Sequence, residues 1–272
     1  MRIVQAEMKK MTFAEYRKVD AYNWSSFKHA LIAPSFARYK RENPTDGSKV
    51  GRLVHCLTLD PGSFDGEFVV SEFENFRTKA AQEWRDTQTK DIVTAADMAQ
   101  CSNLAGGVLA SKFGRALLAN AETEMSIIAN VEDGDRTFKV KGRLDFFRWI
   151  GESVIAGDLK TTSALTGEEF CRVELFKHHY AGQAAYYSEL LASCGLEVKE
   201  WNWLCVNENT GDVFAVRASD ELLVVGGNIW RKALHSYDEG IFSGVWRGAA
   251  ENEMPVVANV PDWYADKFGG EV

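Results

Sequence analysis

Asp145, Asp158 and Lys160 are the residues of this chain whose types and spacing could do chemistry together. The segment Lys141-Gly142-Arg143-Leu144-Asp145 is followed, after the turn residues Trp149-Ile150-Gly151-Glu152, by Asp158-Leu159-Lys160-Thr161-Thr162. The runs 137–149 and 153–161 are rich in β-formers and read as antiparallel strands of one hairpin. With the turn centred on 149–152, Arg148 pairs with Ser153 and Asp145 lies opposite Ala156. Asp158 and Lys160 then share that face, because side chains alternate along a strand. A slip of two residues keeps the cluster, and a slip of one puts Asp145 on the wrong face. Leu144, Phe146, Ile155 and Leu159 populate the opposite, buried face.

Two carboxylates a few ångströms apart repel unless a cation sits between them. Oxygen ligands suit Mg²⁺ or Mn²⁺. Such an ion polarises a phosphodiester, and a lysine beside it can counter the charge that develops on the phosphate. A bare Asp-x-Lys on a surface hairpin is only an ion pair worth ~0–1 kcal/mol. The upstream Asp at hairpin spacing argues for more.

The elements that must position these residues are legible around them. The N-terminal part reads mostly helical. Ser25 or Ser26 caps a helix carrying Phe27, Leu31 and Ile32, and Pro34 opens the next. A helix runs from Gly51 to Leu59, with loop chemistry before it at Asn43-Pro44-Thr45-Asp46-Gly47-Ser48. Residues 78–120 read as two or three polar helices. A meander of two or three antiparallel strands begins near residue 124. A helix follows over 180–194 with Gly195 as its stop. Strands over 198–207 and 213–217 come next, then a helix from Ser219 to about Glu239. The expectation is one domain over 1–272: a mainly helical part to about 120, an αβββαβ core over about 121–240, and a tail over 241–272. The fold class is α/β.

Composition narrows the function. The chain has 272 residues, and 31 Lys and Arg against 39 Asp and Glu leave a formal net charge of −8. Bulk charge therefore does not coat nucleic acid, and any DNA contact must be local. No run approaches the ~18–20 apolar residues of a membrane span. The start, Met1-Arg2-Ile3-Val4-Gln5-Ala6-Glu7, is not that of an export signal. The 5 cysteines are scattered with no Cys-x-x-Cys pair, which opposes a disulfide scaffold, a zinc ribbon and a sequential iron–sulfur site. A reducing cytoplasmic compartment is expected (a bacterial host's cytoplasm if phage-encoded). There is no P-loop and hence no helicase motor.

The set Asp145 then Asp158-Leu159-Lys160 resembles the PD-(D/E)xK nuclease pattern, with Leu144 where the eponymous Pro would stand. Four further matches point to the RecB-like branch, and within it to the exonuclease VIII (RecE-type) phage and prophage exonucleases. Glu124-Met125-Ser126 is similar to that group's Glu-x-Ser. Gln183-Ala184-Ala185-Tyr186-Tyr187 is similar to its Gln-x-x-x-Tyr. Gly51-Arg52-Leu53-Val54-His55 is similar to its Gly-x-x-x-His, and Pro261-Asp262-Trp263 to its Pro-x-Trp. Together they cover about 24–264.

The resemblance implies a restriction-endonuclease-like core, a central mixed sheet flanked by helices, with a helical N-terminal extension. It implies Asp145 and Asp158 as Mg²⁺ (or Mn²⁺) ligands, the Leu159 carbonyl as a further ligand, and Lys160 as the catalytic lysine. Glu124 would approach the metal, with Glu122 its rival two residues away. His55 would ligate the metal or contact the scissile end. Gln183 and Tyr187, at i and i+4 of one helix, would flank the site. Tyr180 fits the aromatic slot before Gln183 better than His178 or His179. Candidate DNA contacts are Arg38, Lys40 and Arg41 around Tyr39, Arg77 and Lys79 before Trp84, and Thr161 and Thr162 after the lysine. The implied activity is 5′→3′ degradation of one strand from double-stranded DNA ends. The implied assembly is a trimer or tetramer ring acting with a single-strand annealing protein. A Cas4-like or structure-specific endonuclease, or a catalytically silent DNA-binding protein, stands as the alternative.

Overall fold

The first element departs from the helical expectation. In the computed structural model, which describes residues 1–43, 48–250, 257, 258, 260, 262 and 267, Arg2–Lys10 forms a strand, β1. Ile3, Ala6 and Met8 pack from it onto the core. Its register shifts between Val4 and Glu7, around Gln5 with a φ of 50°. That bulge breaks the period of two by which a strand is recognised. Most of the 43–48 loop, and Pro261 and Trp263 of the Pro-x-Trp segment, lie outside the described residues.

Helix α1 (Phe13–Lys18) starts in a capping box between Thr12 and Glu15. The short strand β2 (Tyr22–Asn23) leads into α2 (Trp24–Phe27). The cap is Asn23, not Ser25 or Ser26: its Oδ1 accepts the Ser26 N–H at 2.9 Å. A 3₁₀ turn, Lys28–Leu31, divides α2 from α3 (Pro34–Glu42). Helix α4 (Lys49–Leu59) is capped by Ser48. Then come α5 (Phe64–Glu67), β3 (Phe68–Val70), α6 (Lys79–Thr87), β4 (Asp91–Val93), α7 (Ala95–Ala110) and α8 (Lys112–Leu118). The 78–120 segment is thus three helices with a two-stranded β3–β4 ribbon beside them.

The meander is β5 (Glu122–Asp133), β6 (Arg136–Ile150) and β7 (Ser153–Thr162). Two one-turn helices, α9 (Gly167–Glu169) and α10 (Leu175–Lys177), flank a π-helical turn. They precede α11 (Tyr180–Ser193), β8 (Glu197–Asn207), β9 (Val213–Arg217) and α12 (Asp220–Ser243). The main sheet runs β1-β5-β6-β7-β8-β9, with β2 paired to β6. β7 and β8 are parallel across the α11 crossover, and β5–β6, β6–β7 and β8–β9 are antiparallel. One face packs on α11 and α12 through Phe147, Tyr186, Trp201, Trp203 and Trp230. The other packs on α4 and α7 through Leu53, Val54, Phe146, Leu159 and Leu204. This is a mixed central sheet flanked by helices, the restriction-endonuclease-like architecture. Among the described residues no helix is long and apolar enough to cross a membrane.

The hairpin register differs from expectation by two. Ile150 pairs with Ser153, and the ladder runs to Phe146 opposite Gly157. The turn is the tighter Gly151-Glu152, so continuing the register sets Asp145 opposite Asp158 instead of Ala156. Alternation also breaks on β6. Leu144 and Phe147, three residues apart, both lie in the α11 core, whereas Phe146, Ile155 and Leu159 lie in the α4–α7 core. Leu144 therefore does not share a face with the other three. The break falls at Asp145.

Helices α11 and α12 approach closely because Gly226 lacks a side chain. A Cβ there would sit 2.1 Å from the Ala181 carbonyl oxygen. Gly226→Ala should therefore lower the unfolding free energy by about 2 kcal/mol, the usual size of an overpacking cost. Urea unfolding of the two proteins checks this; an unchanged midpoint would mean that the helices are not in contact at that point.

Candidate metal centre and nucleic-acid cleft

The site is built where β6 and β7 part. Beyond the Phe146–Gly157 pair, β7 stays bonded to β8 but has lost β6. A strand edge exposes N–H and C=O groups that must find other partners. At Leu159 two side chains supply them. Asp145 Oδ2 accepts the Leu159 N–H at 2.7 Å, and His55 Nε2 lies 2.6 Å from the Leu159 carbonyl oxygen. His55 also places Nδ1 3.4 Å from Asp145 Oδ2.

Helix α4 reaches β7 because Gly51 is small. A Cβ at Gly51 would stand 3.1 Å from Thr161 Oγ1. One turn later the same helix face presents His55 over Leu159. The four-residue spacing of Gly51 and His55 thus has a packing cause.

From the other side β5 brings Glu124, whose φ of 54° is left-handed. A non-glycine residue rarely adopts this, and such outliers gather at functional sites. The ligand atoms of His55, Glu124 and Asp145 all lie within 4.8 Å of one another. Glu122 is exposed, so the cluster takes Glu124. Burial first, then the Asp145 charge, pushes the Glu124 carboxyl up to about 7. Burial and then Asp158 raise Asp145 well above the ordinary carboxylate range. Burial lowers His55, which favours the neutral imidazole that can ligate. This oxygen-rich set, with one imidazole and a backbone carbonyl that keeps a second lone pair beside its His55 contact, fits a divalent cation, whose charge would relieve the carboxylates.

Asp158 is only 2% exposed and stands outside that trio. Gln183 on α11 donates through Nε2 to Asp158 Oδ1 at 2.8 Å, and Lys160 Nζ donates to Gln183 Oε1 at 3.1 Å. Lys160 also forms an ion pair with Asp158 Oδ2, off hydrogen-bonding angle, so that oxygen has no donor aimed at it. The ammonium sits 4.3 Å from the centroid of the Tyr180 ring. Burial works against the Lys160 charge, but Asp158, Tyr180 and Asp145 outweigh it and hold its pKa above the ordinary lysine value.

The model of a PDDEXK-like domain of unknown function (DUF3799) matches residues 24–228. The chain belongs to this family. Its fold is also that of a solved Eubacterium rectale structure described as a "Putative exonuclease". That likeness has a TM-score of 0.57 at 12% identity and covers 96% of this chain and 99% of that one. A second solved structure, SSO0001, aligns at a TM-score of 0.33 and 17% identity over 78% of this chain and 84% of that one, too distant to carry an argument. Among curated proteins none matches the sequence.

In this PDDEXK-like chain a cleft of about 980 Å³ opens over the fork. His55, Glu124, Asp145, Leu159, Lys160, Thr161, Tyr180 and Tyr187 line it, with Lys40 and Arg41 from α3. The other expected DNA contacts do not. Arg38 is paired with Glu42. Arg77 is exposed, and Lys79 is paired with Glu83. Trp84 stacks on Phe76. Thr162 is buried and its hydroxyl accepts the Ala164 N–H at 3.1 Å. Thr162 follows Thr161 on the opposite face of β7, which explains why only one of them reaches the cleft.

Four cations that line the cleft were not singled out by the sequence: Arg17, Arg52, Lys141 and Arg143. Lys141 and Arg143 carried a readable signal, since they alternate with Asp145 along one strand. Lys141 is buried and donates to the carbonyls of Tyr16 at 2.9 Å and Val19 at 2.7 Å, fastening the end of α1 over β6. Arg17 and Arg52 come from helices whose placement only the fold supplies.

The raised carboxyls give the metal-free protein a defined pH response. Glu124 holds its proton more tightly folded than unfolded, so from 4.5 to about 7 the folded state carries the extra proton. Stability in EDTA should fall as pH rises through that window, on the order of 2 kcal/mol from this group, and level off above it. Glu124→Gln should flatten the dependence. Urea midpoints at pH 5 and 7.5 test this, and a wild-type midpoint that rises with pH would refute it.

Proposed function

We propose that this chain is a divalent-metal-dependent deoxyribonuclease that degrades one strand of linear double-stranded DNA and leaves single-stranded tails. The observation that carries the reading is the fork. Asp145, the Leu159 carbonyl and Lys160 converge there with His55 and Glu124, at the floor of a cleft with basic walls. The Eubacterium rectale structure of the same fold, described as a "Putative exonuclease", agrees with this reading. The 5′→3′ polarity, a ring of three or four chains and a single-strand annealing partner rest on the resemblance to RecE-type exonucleases.

His55, Glu124, Asp145 and the Leu159 carbonyl would hold Mg²⁺ or Mn²⁺, with Asp158 Oδ2 as the oxygen left without a hydrogen bond. The cation would supply Lewis-acid charge at the scissile phosphate. Lys160, fixed by Asp158 and Gln183, keeps its proton and places a positive charge where negative charge develops in phosphodiester hydrolysis. Lys40 and Arg41 neutralise backbone phosphates at the cleft wall, which a net charge of −8 leaves as a local task.

Linear duplex labelled at either end, beside a closed circle, tests the activity. The wild type should consume only the linear DNA, only with Mg²⁺, and release the 5′ label first. Asp158→Ala should be inert with an unchanged circular-dichroism spectrum. Cutting of the circle would make the protein an endonuclease, and an active Asp158→Ala would overturn the reading. Lys160→Ala should lose more than ~10²-fold in rate while still binding Mn²⁺.

Replacing Lys40 and Arg41 together by Ala should flatten the salt dependence of DNA binding by about 0.9 per lost phosphate contact. The same change at Arg77 and Lys79 should not. Equal slopes for the two double mutants would place the DNA elsewhere.

A further inference from the structure

We propose that Arg143 is a positioning residue that aims the Glu124 carboxylate at the cation site. The inference rests on the cation site of the proposed function and adds a residue to it.

Arg143 and Glu124 form an ion pair through Nε and Oε2, with side chains only 11% and 13% exposed. Arg143 is held independently of that pair. Its guanidinium carbon lies 5.4 Å from the centroid of the Phe13 ring on α1, and Nη2 lies 4.0 Å from Asp60 Oδ2 at the end of α4. The guanidinium is therefore pinned between the helix that roofs the cleft and the helix that carries His55. On β6 it stands two residues before Asp145, and its cross-strand partner is Ser126, two residues after Glu124. All three side chains thus project from one patch of the β5–β6 ladder.

Glu124 needs such a restraint. Its backbone is left-handed, a conformation that costs of order 1–3 kcal/mol outside glycine and persists only where surroundings over-determine it. Its carboxylate lies beside that of Asp145, which repels it. Without Arg143, repulsion and strain both turn the side chain away from the cluster. With Arg143 holding Oε2, the second oxygen remains for a cation. Arg143 Nη1 and Ser126 Oγ are buried without a protein partner. The guanidinium therefore has a donor to spare, and Glu124 is the acceptor that it keeps.

The test is a double-mutant cycle read by Mn²⁺ titration of the full chain in a calorimeter, with no DNA present. Glu124→Gln and Arg143→Gln should each weaken Mn²⁺ binding about 10-fold or more, the usual size of a loss in the shell around a metal. The double mutant should bind no more weakly than Glu124→Gln alone, because Arg143 acts only through that carboxylate. Arg143→Lys, which keeps the charge but loses the fork, should fall between wild type and Arg143→Gln. Additive losses, or an Arg143→Gln protein that binds Mn²⁺ as wild type does, would overturn the assignment. Should Arg143→Gln fail to fold, the cycle is read with Arg143→Lys. Asp145→Asn with unchanged Mn²⁺ affinity would instead overturn the cation site itself, and this inference with it.

Discussion

The parting of β6 from β7 is the constraint on which the site depends. A strand in the middle of a sheet must satisfy the backbone groups on both of its edges. β7 does so with β8 along its whole length, but on the β6 side its pairing stops at Gly157. The gap would be costly if nothing filled it. Asp145 and His55 fill it with side chains, and in doing so they bring a carboxylate to the Leu159 N–H and an imidazole to the carbonyl of the same residue. The same defect that ends the ladder assembles the donors.

Each neighbouring element is shaped to reach that gap. Gly51 lets α4 lie against Thr161, so that His55 arrives one turn later. Glu124 takes a left-handed backbone on β5 at the position opposite Asp145, where β6 also loses its alternation. Gln183 comes from α11, which the crossover between parallel β7 and β8 lays across the sheet. These are local departures from regular structure, and they coincide in one place. Strain and buried like charges are tolerated there because the two cores on either side of the sheet hold the frame. Stability and site chemistry pull in opposite directions, and a cation would reconcile them.

The electrostatics follow the same division. The chain as a whole is acidic, yet Arg17, Lys40, Arg41, Arg52, Lys141 and Arg143 gather on the walls of one cleft. They come from three helices and one strand that are distant in sequence. Net charge describes how the protein behaves far from its surface, whereas binding of a phosphate chain depends on the field inside the cleft.

The meander, the helix over 180–193, the following strands and the long last helix were all legible from periodicity, turn residues and caps. So was the shared face of Asp158 and Lys160, two apart on one strand, because a period of two survives a register slip of two. β1 was not legible, since a bulge and a single buried face blur its alternation. Neither was the switch of faces at Asp145, which leaves no mark in residue type. Trp84 and Arg77 looked suited to DNA by composition, and tertiary packing set them away from the cleft lining. Sequence alone determined which residues are chemically capable and which of them share a strand. Only the tertiary structure decided which capable residues meet, because that depends on where helices from distant parts of the chain cross a fork in the sheet.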